Sequence, residues 1–199
     1  MSKSLIVIDM QNDFVDPNGA LYCAGGEQIV ETINLLTASG EYDLIVATQD
    51  WHPEDHISFA ANHKGKKPFE AIEVDYGVQV LWPVHCVQDA IGAKFHSRLQ
   101  TAGFDFIVRK GANAKIDSYS AFFENDKTTG TGLERFFNGG YEIDFVGVAT
   151  DVCVYNSAID ALRLGNRVSV LASACVGVTQ EGAAKALEDL RSLGATIKA

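Results

Sequence analysis

The stretch Phe145-Val146-Gly147-Val148-Ala149-Thr150-Asp151-Val152-Cys153 runs on through an amphipathic segment to Leu164, then Gly165, then Val168-Ser169-Val170-Leu171. It reads as a buried strand, a helix over 152–164 stopped by Gly165, and a second buried strand, with a cysteine in the helix's first turn. The same alternation extends in both directions. Residues 5–8, 44–47 and 106–108 are further short apolar runs rich in β-branched side chains, and 196–197 offers one more strand. Helical spacing recurs over 27–39, where Ile29, Ile33 and Leu36 share a face, and over 93–102, 131–138 and 180–193. Gly103, Gly139 and Gly194 follow these last three as C-terminal stops. Strands alternating with helices predict an α/β fold: a single domain over 1–199, doubly wound, with a mostly parallel sheet and helices on both faces. The segment at about 50–89 breaks the rhythm, and an insert of that length in a compact domain is usually functional.

Composition narrows the partners. The chain has 199 residues, 47% of them hydrophobic and 21% charged, with a formal net charge of -10. An acidic surface repels phosphate backbones and anionic lipid, which argues against nucleic acid and membranes and for a small-molecule substrate. No apolar run approaches the roughly 18 residues of a membrane helix. Leu5 to Ile8 is too short for a signal peptide and ends in Asp9, so the cytoplasm is the expected compartment. Cys23, Cys86, Cys153 and Cys175 are widely spaced, form no CxxC pair and are expected to be free thiols there. Nothing in the sequence fixes oligomeric state, and a homo-oligomer stays open.

The strand ends carry the chemistry. Asp9 follows the first strand, Asp50-Trp51-His52 the second, Arg109-Lys110 the third, and Asp151-Val152-Cys153 the fourth. Sites in open α/β sheets form outside the carboxyl ends of the strands, so these groups are expected on one rim. A lone cysteine is more often a small core residue. Beside an acid and a lysine it becomes a candidate nucleophile. The helix start and the ammonium are expected to lower its pKa, to roughly 3.5–7.5 in such settings. Asp9 can take the thiol proton and return it to a leaving amine, while Lys110 holds developing negative charge. Asp50-x-His52 puts two ligand-type side chains on one side of an extended segment, and His85 lies in the same insert with His56 and His63. One carboxylate with two imidazoles suits a single divalent metal, zinc first, with iron or manganese as alternatives. His96 falls on an expected helix and reads as a surface residue.

In order along the chain, the motifs are Asp9-Met10-Gln11-Asn12-Asp13-Phe14, Thr48-Gln49-Asp50-Trp51-His52-Pro53, Trp82-Pro83-Val84-His85-Cys86, Arg109-Lys110-Gly111 and Gly147 through Cys153. Together they resemble the nicotinamidases of the isochorismatase-like cysteine hydrolase superfamily, over nearly the whole length. The resemblance implies that superfamily's three-layer fold. It also implies hydrolysis of nicotinamide to nicotinate and ammonia through a cysteine thioester in NAD salvage, with pyrazinamide also cleaved. Carried over by position, it implies Asp9, Lys110 and Cys153 as catalytic residues and Asp50, His52 and His85 as metal ligands. Phe14 and Trp82 would pack on the pyridine ring. A cis peptide before Ala149 would aim the amides of Ala149 and Cys153 at the substrate oxygen. Some relatives add another histidine ligand at a longer spacing than His52 to His56, which leaves His56 unassigned. Two alternatives are an amidase of the N-carbamoylsarcosine type, disfavoured by the metal set, and a metal-stabilised binding module with an inert thiol. Isochorismatases proper lack the nucleophilic cysteine.

Overall fold

Side chains alternate between the two faces of a strand, so a strand buried on both faces reads as a continuous apolar run. The computed structural model, which describes residues 2–199, uses each such run in this way. Strands β1 (Lys3–Ile8) and β2 (Leu44–Asp50) precede a hairpin, β3 (Ala71–Val74) with β4 (Gly77–Val80). Then come β5 (Phe106–Lys110), β6 (Glu142–Val148), β7 (Arg167–Val176) and β8 (Thr196–Lys198). The main sheet has the order β5-β2-β1-β6-β7-β8, and every pair in it is parallel. Leu5, Val7, Ile45, Ala47 and Val146 face one core, and Ile6, Ile8, Val46 and Phe145 face the other. Helix α1 (Asn12–Val15) is a single turn. Helix α2 (Val30–Ala38) buries Val30 and Ile33 in the first core. The short α3 (Leu133–Phe136), α4 (Tyr155–Arg163) and α5 (Gln180–Ser192) bury Leu133, Ala158, Ala161 and Leu190 in the second. This is the expected α/β architecture with helices on both faces.

Strand order reverses between β1 and β6, and such a switch point opens a crevice beyond the strand ends. Here the two strands approach very closely. Gly147 has φ +112°, and a Cβ on it would lie 2.1 Å from the Ile8 carbonyl oxygen. Any side chain at 147 would push apart the two strands that lead to Asp9 and to Cys153.

Some sequence expectations fail. Residues 93–102 form no helix. Their backbone bonds instead to the segment after β1, with Asn12 N–H donating to Lys94 O and His96 N–H donating to Met10 O. Gly103 therefore stops nothing, and His96 is buried rather than on the surface. The helix expected over 131–138 shrinks to α3. That expected from Val152 begins as a π-turn, Thr150–Val154, in which Val154 N–H reaches back to Ala149 O. The stretch 50–89 contains a 3₁₀ turn, Ala60–Asn62, and the β3–β4 hairpin. Among the described residues no helix is long and apolar enough to cross a membrane.

Candidate active site

Asp50 and Lys110 end β2 and β5 as register partners, so the sheet itself sets them side by side. The Lys110 side chain is fully buried, and its ammonium meets three groups. It donates a short hydrogen bond to Asp50 Oδ1. It lies 2.9 Å from Asp9 Oδ2 and 3.6 Å from Cys153 Sγ. A further bond, 3.2 Å to Ser118 O, fixes its height. Asp9 leaves β1 with φ +49°, and its Oδ1 accepts from Thr48 Oγ1 at 2.6 Å. Its Oδ2 pairs with Lys110 by charge but makes no aligned hydrogen bond, which leaves a lone pair available for a proton. Asp9, Lys110 and Cys153, expected together from the sequence, come together here.

The charge balance differs from the sequence expectation. Burial pushes the Cys153 thiol well above its usual value, and the pull of Lys110 is offset by Asp9 and Asp50. One ammonium shared between two carboxylates leaves no net positive charge to hold a resting thiolate. The low thiol pKa expected from the helix start and the lysine does not hold. Burial also raises Asp9, against the pull of Lys110. Asp50 is opposed by burial too, yet Lys110, His52 and His85 outweigh it and hold its carboxyl well below the usual range. The two carboxyls are thus shifted in opposite directions, Asp9 up and Asp50 down.

The other oxygen of Asp50 faces the insert. Oδ2 lies 3.6 Å from His52 Nε2 and 3.8 Å from His85 Nε2. His52 Nδ1 bonds to Gly111 O and His85 Nδ1 to Pro83 O, both at 2.8 Å. Each ring is thereby oriented with Nε2 toward the carboxylate, the arrangement that backbone carbonyls impose on metal-binding imidazoles. Burial pushes His85 down to about 4, so its Nε2 lone pair is free. Asp50, His52 and His85 thus form a buried group of three donors of the kind that could hold a divalent metal ion. His56 is engaged elsewhere, with Nδ1 at 2.7 Å from Ser58 Oγ and Nε2 at 3.3 Å from Ile116 O. His63 bonds to Ile57 O.

Between the thiol and these donors opens a cavity bordered by Asp50, His85 and Cys153. Phe14, Trp82, Tyr119 and Val178 line it above Cys153 and Ala149. The Val148–Ala149 peptide is cis, as the resemblance implied. Among the described residues no acceptor takes the Ala149 N–H. Cys23, read from the sequence as an inert core thiol, also borders this cavity, and burial raises it to about 12.

Several contributors escaped the sequence reading. Gln11 clamps Asp50 from both sides, accepting from Asp50 N–H and donating to Asp50 O at 2.8 Å each. Asp13 accepts from Cys86 N–H at 2.7 Å and so pins the residue after His85. Thr48 orients Asp9. Their signal was polar side chains beside apolar strands with no reason to be there except to bond inward.

The isochorismatase domain model matches residues 3–198. The chain belongs to the isochorismatase family. Within it, this isochorismatase-family chain is 48% identical over 181 residues to the nicotinamidase of Acinetobacter baylyi, covering 90% of this chain and 83% of that one. The solved structure of a nicotinamidase/pyrazinamidase from Acinetobacter baumanii superposes with a TM-score of 0.92 at 44% identity, covering 99% of this chain and 95% of that one. A pyrazinamidase of Pyrococcus horikoshii in complex with zinc gives a TM-score of 0.79 at 35% identity, covering 99% and 98%.

Proposed function

We propose that the chain hydrolyses nicotinamide to nicotinate and ammonia through a thioester on Cys153, serves NAD salvage, and cleaves pyrazinamide in the same way. The observation that carries this reading is the single buried ammonium of Lys110, which joins a thiol, a proton-accepting acid and a metal-type carboxylate at the base of an aromatic-walled cavity. The names of the relatives support the same substrate class.

The steps follow from the residues. Cys153 Sγ attacks the carboxamide carbon as its proton passes to Asp9. The carbonyl electrons move to oxygen, where the Ala149 and Cys153 amides receive the charge. Asp9 returns the proton to nitrogen, the C–N bond breaks, and ammonia leaves a thioester. Water then adds to the thioester carbon and gives a proton to Asp9. The C–S bond breaks, the sulfur regains the proton from Asp9, and the nicotinic acid formed releases its remaining proton to solvent as nicotinate. Splitting one amide hydrolysis into two acyl transfers lowers the barrier of each. Because the resting sulfur is a thiol, the nucleophile forms only when substrate is in place, with Lys110 offsetting the charge as the proton moves. Phe14 and Trp82 hold the ring. Asp50, His52 and His85 would hold a divalent cation, zinc by donor type, which when bound supplies a Lewis-acid seat for the pyridine nitrogen.

The deciding experiment is ammonia release from nicotinamide by the wild type and by Cys153→Ala, with mass spectrometry of the quenched wild-type reaction. A nicotinoyl adduct on Cys153, and no turnover in the alanine variant, are expected. Retention of a tenth of wild-type turnover by Cys153→Ala would refute covalent catalysis.

A further inference from the structure

The β3–β4 hairpin lies outside the main sheet and contributes none of the catalytic or metal-type groups. Yet one of its side chains, Gln79, is 1% exposed and is bonded at both ends. Its Oε1 accepts from Tyr76 OH at 2.9 Å. Its Nε2 donates to Asp117 Oδ2 at 2.7 Å and to Val80 O at 2.6 Å, and lies 3.2 Å from Tyr119 OH. The same Tyr119 hydroxyl accepts from Trp82 Nε1 at 3.1 Å. Tyr119 and Trp82 are both cavity walls and meet edge to face at 85°, with ring centroids 6.2 Å apart. Phe69 meets Trp82 at 86° from 6.0 Å, so Trp82 is held by ring edges as well.

The indole ring has one polar atom with which to fix its rotation, and that atom depends on Tyr119. The Tyr119 hydroxyl in turn sits in the bond field of Gln79. An amide meets the demands at this point: an acceptor for Tyr76, and two N–H groups shared among Asp117 Oδ2, Val80 O and the Tyr119 hydroxyl. A carboxylate would face Asp117 Oδ2, and an apolar side chain would leave Asp117 Oδ2 without its bond and take one partner each from the Tyr76 and Tyr119 hydroxyls. Asp117 has a second anchor, since its Oδ1 accepts from Ser118 N–H at 2.9 Å, and Ser118 O supports Lys110. Loss of Gln79 therefore frees the ring wall before it reaches the ammonium.

We infer that Gln79 is a positioning residue for substrate: through Tyr119 it fixes Trp82 as one wall of the ring slot, so the hairpin sets affinity for the aromatic amide. This inference rests on the proposed nicotinamide hydrolysis. It concerns binding of the ring rather than acyl transfer, because Asp9, Lys110 and Cys153 are carried by the main sheet and the turn after β6. The substitution Gln79→Met keeps volume and removes every side-chain bond. With saturating divalent cation, KM for nicotinamide is expected to rise about tenfold while kcat stays within about threefold, the pattern of lost uniform binding. Tyr119→Phe alone should raise KM similarly. The double variant Gln79→Met/Tyr119→Phe should be no more than about threefold worse than Tyr119→Phe, because the two act through one hydroxyl. Tyr76→Phe, which removes the donor to Gln79 Oε1 together with the acceptor of the Asp117 N–H, should raise KM about threefold and serves if Gln79→Met does not fold. A KM unchanged in a folded Gln79→Met (or, failing that, in Tyr76→Phe), a loss confined to kcat, or fully additive effects with Tyr119→Phe would overturn the inference. Absence of nicotinamide turnover by the wild type would instead overturn the reading on which it rests.

Discussion

Replacing Lys110 with methionine isolates the central electrostatic claim. Methionine fills the space of the lysine stem without its charge, so the change leaves Asp9 and Asp50, with side chains 0% and 5% exposed, facing each other unpaired. Breaking a buried pair by removing one partner costs about 3–5 kcal/mol, and for a chain of this size each kcal/mol lowers Tm by about 2–4 °C. The cation-free variant should therefore melt roughly 6–20 °C below the wild type at pH 7.5. The pH dependence carries the sign. Without the ammonium, the folded-state carboxyl pKa values rise above the unfolded value of about 3.9. The fold then binds more protons than the unfolded chain, so stability is present at low pH and is lost as pH rises through the folded pKa. The Tm gap to the wild type should be narrowest near pH 4–5 and widest near pH 8. Activity should fall at least about 10²-fold, as for loss of a charge-stabilising donor. Calorimetric melts from pH 4 to 8 with chelator, beside an ammonia-release assay, test both. A gap that stays flat with pH, or is under about 2 °C, would mean that Lys110 does not hold these two acids.

Gly111→Ala should weaken cation binding by about 10–100-fold in a competition titration, because a Cβ there would lie 2.4 Å from His52 Cε1 and the backbone has φ +64°; unaltered affinity would count against His52 as a ligand. Nicotinamide should exceed benzamide in kcat/KM by on the order of 10²-fold with cation bound, and chelation should narrow that ratio by depressing nicotinamide; equal values in the loaded enzyme would refute a ring-nitrogen seat. Iodoacetamide labelling of Cys153 in the cation-free enzyme, followed by peptide mass spectrometry, should climb only above the free-thiol range of about 8.5; half-maximal labelling near pH 6 would show a resting thiolate and refute the sharing of Lys110 between two carboxylates.

The strand ends were legible because strands buried on both faces announce themselves as apolar runs, and polar residues that terminate them stand out. Asp9, Asp50, Lys110 and Cys153 are all of this kind. Residues 93–102 were misread because Ala93, His96 and Leu99 recur at a three-residue spacing that imitates a helix face. What places them is long-range bonding to residues 10–13, which no local pattern records. The π-turn was invisible for a related reason, since its i+5 bond leaves the same residues on view as an ordinary helix start. The thiol pKa was misjudged because sequence shows which charges are near but not how they are shared. Lys110 is divided between two carboxylates, and that division appears only in three dimensions.

The near-contact of Gly147 with Ile8 has a consequence for redesign. The spacing between acid and sulfur is set by two neighbouring strands that cannot move apart or closer without breaking the sheet. One wall of the cavity, Trp82, comes instead from the segment that carries the hairpin. That wall and the acyl-transfer groups thus sit on different parts of the chain. Exchanging residues 57–82 for segments of other shape should retarget the enzyme toward different amides while the acyl-transfer apparatus stays in register.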